Sequence, residues 1–457
     1  MTGNDIESTV AAAFERRFGK KHAVLVAAPG RVNLIGEHTD YNGFPVLPIS
    51  IPFTINVAAS PRTDSNVSIS NVDGAYEDDH FTLSADIPHS SPGDWSNYVK
   101  AAANELAARI GRPLNGMEAV FGGSIPNSAG LSSSSALVVA SALAVLATNG
   151  VTFDPVELAE MMAYGEHYVG TQGGGMDQAI CLLGKAGHAV KLEFFPLRHT
   201  YVSFPEGFSI VAAHSLVRAA KTEDALLLYN RRPAECRLAT ALINARYAPK
   251  HPLNRLGDLP GKGFFETFGD EAAFVDEVFP KESYSIDDVA GFLGIPAVTV
   301  TERYLMTRSG LPMPVPPDGF LIRQRVMHVL TEAARVERSR DVLEAGDAEA
   351  FGKLMNESHE SCDKLYGIST PELNALASIM RESGALGARL TGAGFGGCAI
   401  GLVPDSGISA VTEAVRSRYY CGYLAENRPE LVEGIKIDDG ILFALKPAEG
   451  ARVASLI

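Results

Sequence analysis

The chain has 457 residues, 46% of them apolar and 20% charged, and a formal net charge of −15. That length exceeds one ordinary core and implies two domains of a globular protein. The acidic balance, with no strongly basic stretch, argues against nucleic-acid and anionic-membrane partners, although backbone N–H groups can still hold a phosphate on such a protein.

Ile6, Val10, Phe14 and Phe18 recur at helical spacing with Glu7, Glu15, Arg16 and Arg17 between them. This is an amphipathic helix and not the apolar core of a secretion signal. Segments 22–28, 31–35, 51–58 and 66–71 read as strands, 94–110 as a helix stopped by Gly111, and 117–122 as a strand. A Gly/Ser-rich loop then opens into an apolar helix at 131–148. Pro155 starts a helix at 155–169; a glycine run, a short helix at 177–183 and a strand at 187–194 follow.

Pro196, Pro205 and Gly207 mark a boundary, giving domains 1–205 and 206–457. Beyond it, helices fit 221–247, 318–345, 347–359 and 370–383, and strands fit 386–391, 397–403 and 435–445. The Pro- and Gly-punctuated stretch 248–317 reads as an insertion. The sum is an α+β protein of two domains. No run of 18 apolar residues predicts a membrane span. Cys181, Cys236, Cys362, Cys398 and Cys421 show no CxxC spacing, which fits reduced thiols in a cytoplasmic protein.

Three stretches carry chemistry. Gly122–Leu137 (GGSIPNSAGLSSSSAL) is not a Walker A loop, since no GK[ST] follows a GxxxxG. Its small residues still let backbone N–H groups approach an anion, the helix starting at Leu131 adds its positive end, and serine hydroxyls suit a nucleotide-bound Mg²⁺. Ala28–Asn42 (APGRVNLIGEHTDYN) gathers Arg31, Glu37, His38 and Asp40, the donors and acceptors needed to hold several hydroxyls. Gly170–Ile180 (GTQGGGMDQAI) has three glycines that allow a close backbone approach, then Asp177 near a helix start. A fourth stretch, Arg389–Val403, contains GxGxxG at Gly392, Gly394 and Gly397. It lies between two apparent strands, which argues against a dinucleotide fold.

In this order the motifs resemble the GHMP family of small-molecule kinases and, within it, the galactokinases. GRVNLIGEHTDYN resembles the sugar signature, PNSAGLSSSSA the ATP loop, GGGMDQ the catalytic motif and LTGAGFGGC the third family motif. The similarity runs from about 22 to about 447 and looks most like the eukaryotic-type branch. It implies a ribosomal-S5-like N-terminal domain, a ferredoxin-like C-terminal domain and an active site in the cleft between them, acting as a monomer on ATP with Mg²⁺.

The resemblance also implies site residues. Arg31 and Asp177 match the catalytic pair; Glu37, His38, Asp40, Gly174, Asp177 and Tyr229 match sugar contacts. Gly123, Pro126, Ser128, Gly130, Leu131, Ser132, Ser133, Ser134 and Ser135 fall in the nucleotide loop. Ser134 and Glu166 match Mg²⁺ ligands, with Ser133 or Ser135 as alternatives by register, and Trp95 matches the adenine-stacking position. Read without the family, Trp95 is a core residue at a helix start. A guanidinium beside Asp177 favours the ionised carboxylate, so a substrate proton would move to it late.

The expected reaction is transfer of the ATP γ-phosphoryl group to the C1 hydroxyl of galactose. Tyr229, seven residues before Cys236, stands where galactokinases place a sugar-contacting tyrosine, so the resemblance favours galactose. Gly173 leaves room for an N-acetyl group and keeps N-acetylgalactosamine as the alternative. A catalytically inactive sugar and ATP sensor is the third reading, opposed by the intact serine loop and the Arg31–Asp177 pair. Mevalonate or homoserine kinases are disfavoured by GEHTDYN.

Overall fold

The protein is described by a computed structural model covering residues 3–126, 130–170, 173–217, 223–247, 252–262, 265, 270–306, 312–437 and 440–455. Helix α1 (Gly3–Phe18) lays Ile6, Val10 and Phe14 on Ala58 and Val120. Strands β1 (Val24–Asn33), β2 (Pro48–Pro61), β3 (Asn66–Asn71) and β4 (Asp79–Thr82) follow, then α2 (Ser96–Arg109), β5 (Met117–Gly123) and α3 (Ser133–Thr148). Asp154 caps α4 (Pro155–Gly165) by accepting from the Val156 and Glu157 N–H groups, with Pro155 in the first turn. Next come α5 (Met176–Leu183), the hairpin β6 (His188–Glu193) and β7 (Arg198–Ser203), β8 (Phe208–His214) and α6 (Glu223–Tyr247).

Three short helices, α7 (Glu271–Val278), α8 (Ile286–Leu293) and α9 (Ala297–Tyr304), occupy the stretch expected to be an insertion. They are followed by α10 (Ile322–Glu344), α11 (Ala348–Ser361), α12 (Pro371–Glu382), β9 (Gly387–Leu390), β10 (Cys398–Pro404), α13 (Ile408–Ala414), β11 (Leu442–Leu445) and β12 (Arg452–Ser455). One sheet has six strands in the order β12-β1-β2-β5-β3-β4, and a second has four in the order β11-β8-β10-β9. Helix α3 packs on β1 and β2 across an apolar core that includes Val57, Ala59, Val139 and Leu146.

Several boundaries differ from the sequence reading for identifiable reasons. The stretches 22–28 and 31–35 join in one strand, β1, whose pairing with β2 shifts between Pro29 and Arg31. Proline cannot donate to the ladder, and such an irregularity re-aims the next side chain, here Arg31. The proline-marked stretch 196–208 contains β7, and the apolar run of β8 adjoins it. Strand β12, absent from the sequence reading, returns to pair with β1. The last strand of 206–457 therefore lies in the sheet built by the first half. The described cysteines are all free; four are buried and Cys421 is exposed. No described helix is long and apolar enough to cross a membrane.

Helix α11 and strand β9 meet at paired glycines. A Cβ on Gly387 would stand 2.0 Å from the Gly352 carbonyl oxygen. Gly387→Ala is therefore expected to lower the unfolding free energy by about 1–3 kcal/mol. It would be read as a lower urea midpoint at unchanged slope; an unchanged midpoint would show that this contact yields without cost.

Candidate active site

Arg31, at the β1 irregularity, ties three segments together. It donates from Nε to Asp177 Oδ1 (2.8 Å), from Nη2 to Asp177 Oδ2 (3.0 Å) and from Nη1 to the Gly130 carbonyl (2.5 Å). Its backbone N–H donates to the Leu131 carbonyl at 3.1 Å. The approach requires Gly30, where a Cβ would stand 2.5 Å from that same oxygen. The fork on Asp177 is the bidentate geometry in which a guanidinium holds a carboxylate best.

The serine loop delivers its groups to the same point. Ser132 caps α3 at φ 60°, a left-handed conformation costly for a non-glycine residue, and its hydroxyl donates to Asp177 Oδ2. Helix α3 then starts at Ser133, so the first-turn N–H groups and the dipole end lie beside Asp177 and Gly130. The nearby hydroxyl of Ser135 donates to Glu166 Oε2 (2.9 Å), which also accepts from Gln178 Nε2. The serine that bonds Glu166 is Ser135, because the helical turn sets Ser135 inward and buried while Ser134 stays half-exposed. Gly123 ends β5 and Pro126 follows it; Ser128 lies outside the described residues.

Trp95, which the resemblance matches to the adenine-stacking position, is buried in this structure. It is 8% exposed, packs edge-on against Phe121 and Tyr76, and donates its indole N–H to the Glu77 carbonyl (2.8 Å). Its polar tip is satisfied and its ring covered, as for a buried tryptophan.

Around Asp177 the sugar signature forms a tight turn. Asp40 is buried beside Gly174, where a Cβ would stand 2.3 Å from the Tyr41 nitrogen and 2.4 Å from Asp40 Cγ. Burial, with help from the charge on Asp177, pushes the Asp40 carboxyl up to about 6, against a backbone hydrogen bond from Tyr41. The Tyr229 ring lies 5.5 Å from that of His38, and burial holds its phenol well above its usual range.

Glu37 and His38 are engaged internally. Glu37 Oε1 accepts from the Gly392 N–H (2.8 Å) and from Arg389 Nη1 (3.2 Å); burial raises its pKa, opposed by Arg389 and Arg31. His38 Nε2 faces the Ala393 carbonyl (3.1 Å) and therefore carries the proton, so Nδ1 accepts from the Tyr41 hydroxyl (2.9 Å). The Tyr41 oxygen in turn accepts from Tyr366 (2.7 Å), whose oxygen stands 3.4 Å from Cys236 Sγ. Burial lowers His38 to about 3, so the ring is neutral.

The sequence reading missed how this turn is held from outside. Helix α10 presents Glu332, whose Oε1 accepts from the Gly36 N–H (2.9 Å), and His328, whose Nε2 donates to the Glu37 carbonyl (3.1 Å). Burial alone would raise Glu332, but Arg335, His328 and Arg389 outweigh it and bring it to about 2. The fully buried Arg389 also donates to the Asn33 (3.2 Å) and Leu34 (3.3 Å) carbonyls. No local pattern announces these residues; a charged residue inside a long helix reads as a solvated face. Among the described residues no group of three or more His, Cys, Asp or Glu is arranged to hold a metal ion.

With this geometry in place, the comparisons are specific. Residues 12–61 match the galactokinase galactose-binding signature, 97–185 the GHMP kinases N terminal domain and 339–421 the GHMP kinases C terminal domain. The chain is 35% identical to galactokinase from Dictyostelium discoideum over 96% of its own length and 91% of that protein. It is 33% identical to galactokinase from Saccharomyces cerevisiae, covering 97% and 93%. Lactococcus lactis galactokinase complexed with galactose superposes with a TM-score of 0.77 at 27% identity, covering 98% of this chain and 99% of that one. The two GHMP kinase domain matches and the galactokinase superposition define a GHMP-type kinase fold. The chain belongs to the galactokinase family.

Two outcomes follow from the site as drawn. Gly174→Ala forces the backbone off Asp40, and kcat/KM is expected to fall at least ~100-fold, since a displacement near 1 Å costs that much; steady-state kinetics reads it. Glu166 is pushed up to about 7, chiefly by burial and then by Asp177. An acid whose folded pKa is raised binds protons more tightly in the folded state, so the wild type loses stability as pH rises from about 4.5 to about 7. Glu166→Gln removes that loss. Without nucleotide, urea unfolding should find the two alike at pH 4 and the variant more stable at pH 8, by about 3 kcal/mol.

Proposed function

We propose that this chain transfers the γ-phosphoryl group of ATP to the C1 hydroxyl of galactose, giving galactose 1-phosphate. The observation that carries the reading is the Arg31 fork on Asp177, closed by the Ser132 hydroxyl and the Gly130 carbonyl at the start of α3. Phosphoryl transfer asks the protein mainly to position groups and neutralise charge. The loop from Gly123 through Ser133 would cradle the phosphates with backbone N–H groups and the α3 dipole.

Asp40, Gly174 and Tyr229 would line the sugar, while Glu37 and His38 would shape the turn, since Glu37 Oε1 is engaged by Arg389 and Gly392 and both His38 nitrogens by Tyr41 and Ala393. Asp177 orients the acceptor hydroxyl and takes its proton late, and Arg31 offsets charge on the transferring group.

The donor set also fits Mg²⁺. Glu166 is a carboxylate raised first by burial and then by the neighbouring charge of Asp177, which a cation would relieve, and the Ser135 hydroxyl stands beside it. Glu166 with the first-turn serines Ser134 and Ser135 would hold the ion, which when bound neutralises the triphosphate. Gly173 has open space where a Cβ would stand, so the N-acetyl sugar stays as the second reading.

A coupled ADP-release assay with Mg·ATP tests both. Turnover is expected chiefly on D-galactose; turnover chiefly on N-acetyl-D-galactosamine would transfer the assignment to that sugar. Binding of ATP and sugar with no turnover on either would make the chain a sensor. Asp177→Asn is expected to lose at least ~100-fold in kcat, and Arg31→Ala to lose kcat more than sugar affinity. Near-normal turnover in Asp177→Asn would refute the role of the aspartate.

A further inference from the structure

Behind the glycine run lies a cavity of about 460 Å³, within the size range of small-molecule sites. Of the residues matched to the sugar or to catalysis, only Gly174 lines it; Arg31, Glu37, His38, Asp40, Asp177 and Tyr229 do not. Its wall toward the sugar side comes from Gly173–Gly175 and from Tyr41 and Asn42, the two stretches in closest approach at Gly174. Its far side is built by α4, α6 and the segment at 254–255, part of the stretch left without a role by the sequence.

The lining combines an apolar body with cations. Ala159, Ala163, Phe194, Phe195, Leu197 and Pro233 form the apolar part. The Arg255 guanidinium lies 3.3 Å from the centroid of the Phe195 ring, and its Nη1 is buried with no hydrogen-bond partner among the described residues. Arg237 and His167 face the same space. The carboxylate of the lining, Glu160, is engaged through Oε1 by the Leu197 N–H (3.0 Å).

Arg255 is anchored where it stands. A Cβ on Gly43 would touch its Cδ at 2.5 Å, and a Cβ on Gly257 would stand 2.5 Å from the Gly43 carbonyl oxygen. The cation is therefore fixed against the turn that carries Asp40. The Asp258 carboxylate lies near Arg255, but the Nη1 donor stays open; a partly buried guanidinium of this kind, beside aromatic and aliphatic walls, favours a ligand that supplies an anionic acceptor and a flat ring.

We propose that this cavity is a second binding site, taking an aromatic or fused-ring molecule that carries an anionic group. It goes beyond sugar phosphorylation and does not depend on which sugar is used. The test is isothermal titration of the full chain with 1-naphthyl phosphate, in the presence of saturating galactose and a non-hydrolysable Mg·ATP analogue that block the active site. Neutral 1-naphthol serves as the second probe, and Arg255→Gln, checked for wild-type thermal unfolding, as the variant.

The expected result is binding of the phosphate probe to the blocked enzyme, at least tenfold weaker binding of naphthol, and a similar tenfold loss for the phosphate probe in Arg255→Gln. Absence of binding to the blocked enzyme, equal binding of the two probes, or a variant that binds as wild type would each overturn it. If Arg255→Gln fails to fold, the comparison of the two probes on the wild type decides alone. Because the readout is binding, a failure here is separable from a failure of the kinase assay.

Discussion

The guanidinium of Arg31 is the constraint on which the site depends. It must reach Asp177 with two nitrogens and the Gly130 carbonyl with the third, while its own backbone closes on Leu131. Every glycine motif serves that convergence. Gly30 lets β1 touch the serine loop, Gly392 lies where a Cβ would stand 2.9 Å from the Gly130 oxygen, and Gly174 lets the run before α5 settle on Asp40. What looks in sequence like separate flexible loops is, at Gly30, Gly174 and Gly392, backbone packed against its neighbours with no room for a methyl group.

The second constraint is bracing from a distance. The Gly36–His38 turn is gripped by α10 through Glu332 and His328 and by Arg389 from β9. These are buried ionic and polar contacts, so removing one partner strands the other at a cost of several kcal/mol. Such a lattice makes the turn rigid, and it ties the signature motif near the start of the chain to elements some 300 residues later. The relay from Cys236 through Tyr366 and Tyr41 to His38 belongs to the same bracing, and it explains why a histidine in a sugar signature has both nitrogens occupied by protein.

The charge pattern of the site is uneven by design of its burial. Glu37, Asp40 and Glu166 are all pushed up by burial, and Asp177 adds to the shift at Asp40 and Glu166. A cluster of carboxylates held at this disadvantage gains most from a cation and from donors on a hydroxylated ligand. The net acidity of the chain therefore says nothing about anion binding at the α3 terminus, where fixed N–H groups set the local field.

Periodicity, proline and glycine signals determined the α+β class and most helices to within a few residues, while the resemblance implied that the three motifs share one site. Those signals are local: a proline at a first turn, a glycine stop and an apolar residue at every fourth position act within one element. The rest is set by groups that meet only after folding. Sequence register leaves Ser133, Ser134 and Ser135 open, and the rotation of α3 decides that Ser135 meets Glu166. Strand β12 pairs with a partner over 400 residues away, so nothing near it in sequence announces it. The covering of Trp95, the inward turn of Glu37, the grip of Arg389 and the cavity beside Arg255 are likewise decided by tertiary packing, because burial and unpaired charge are properties of surroundings and not of a residue's neighbours in the chain.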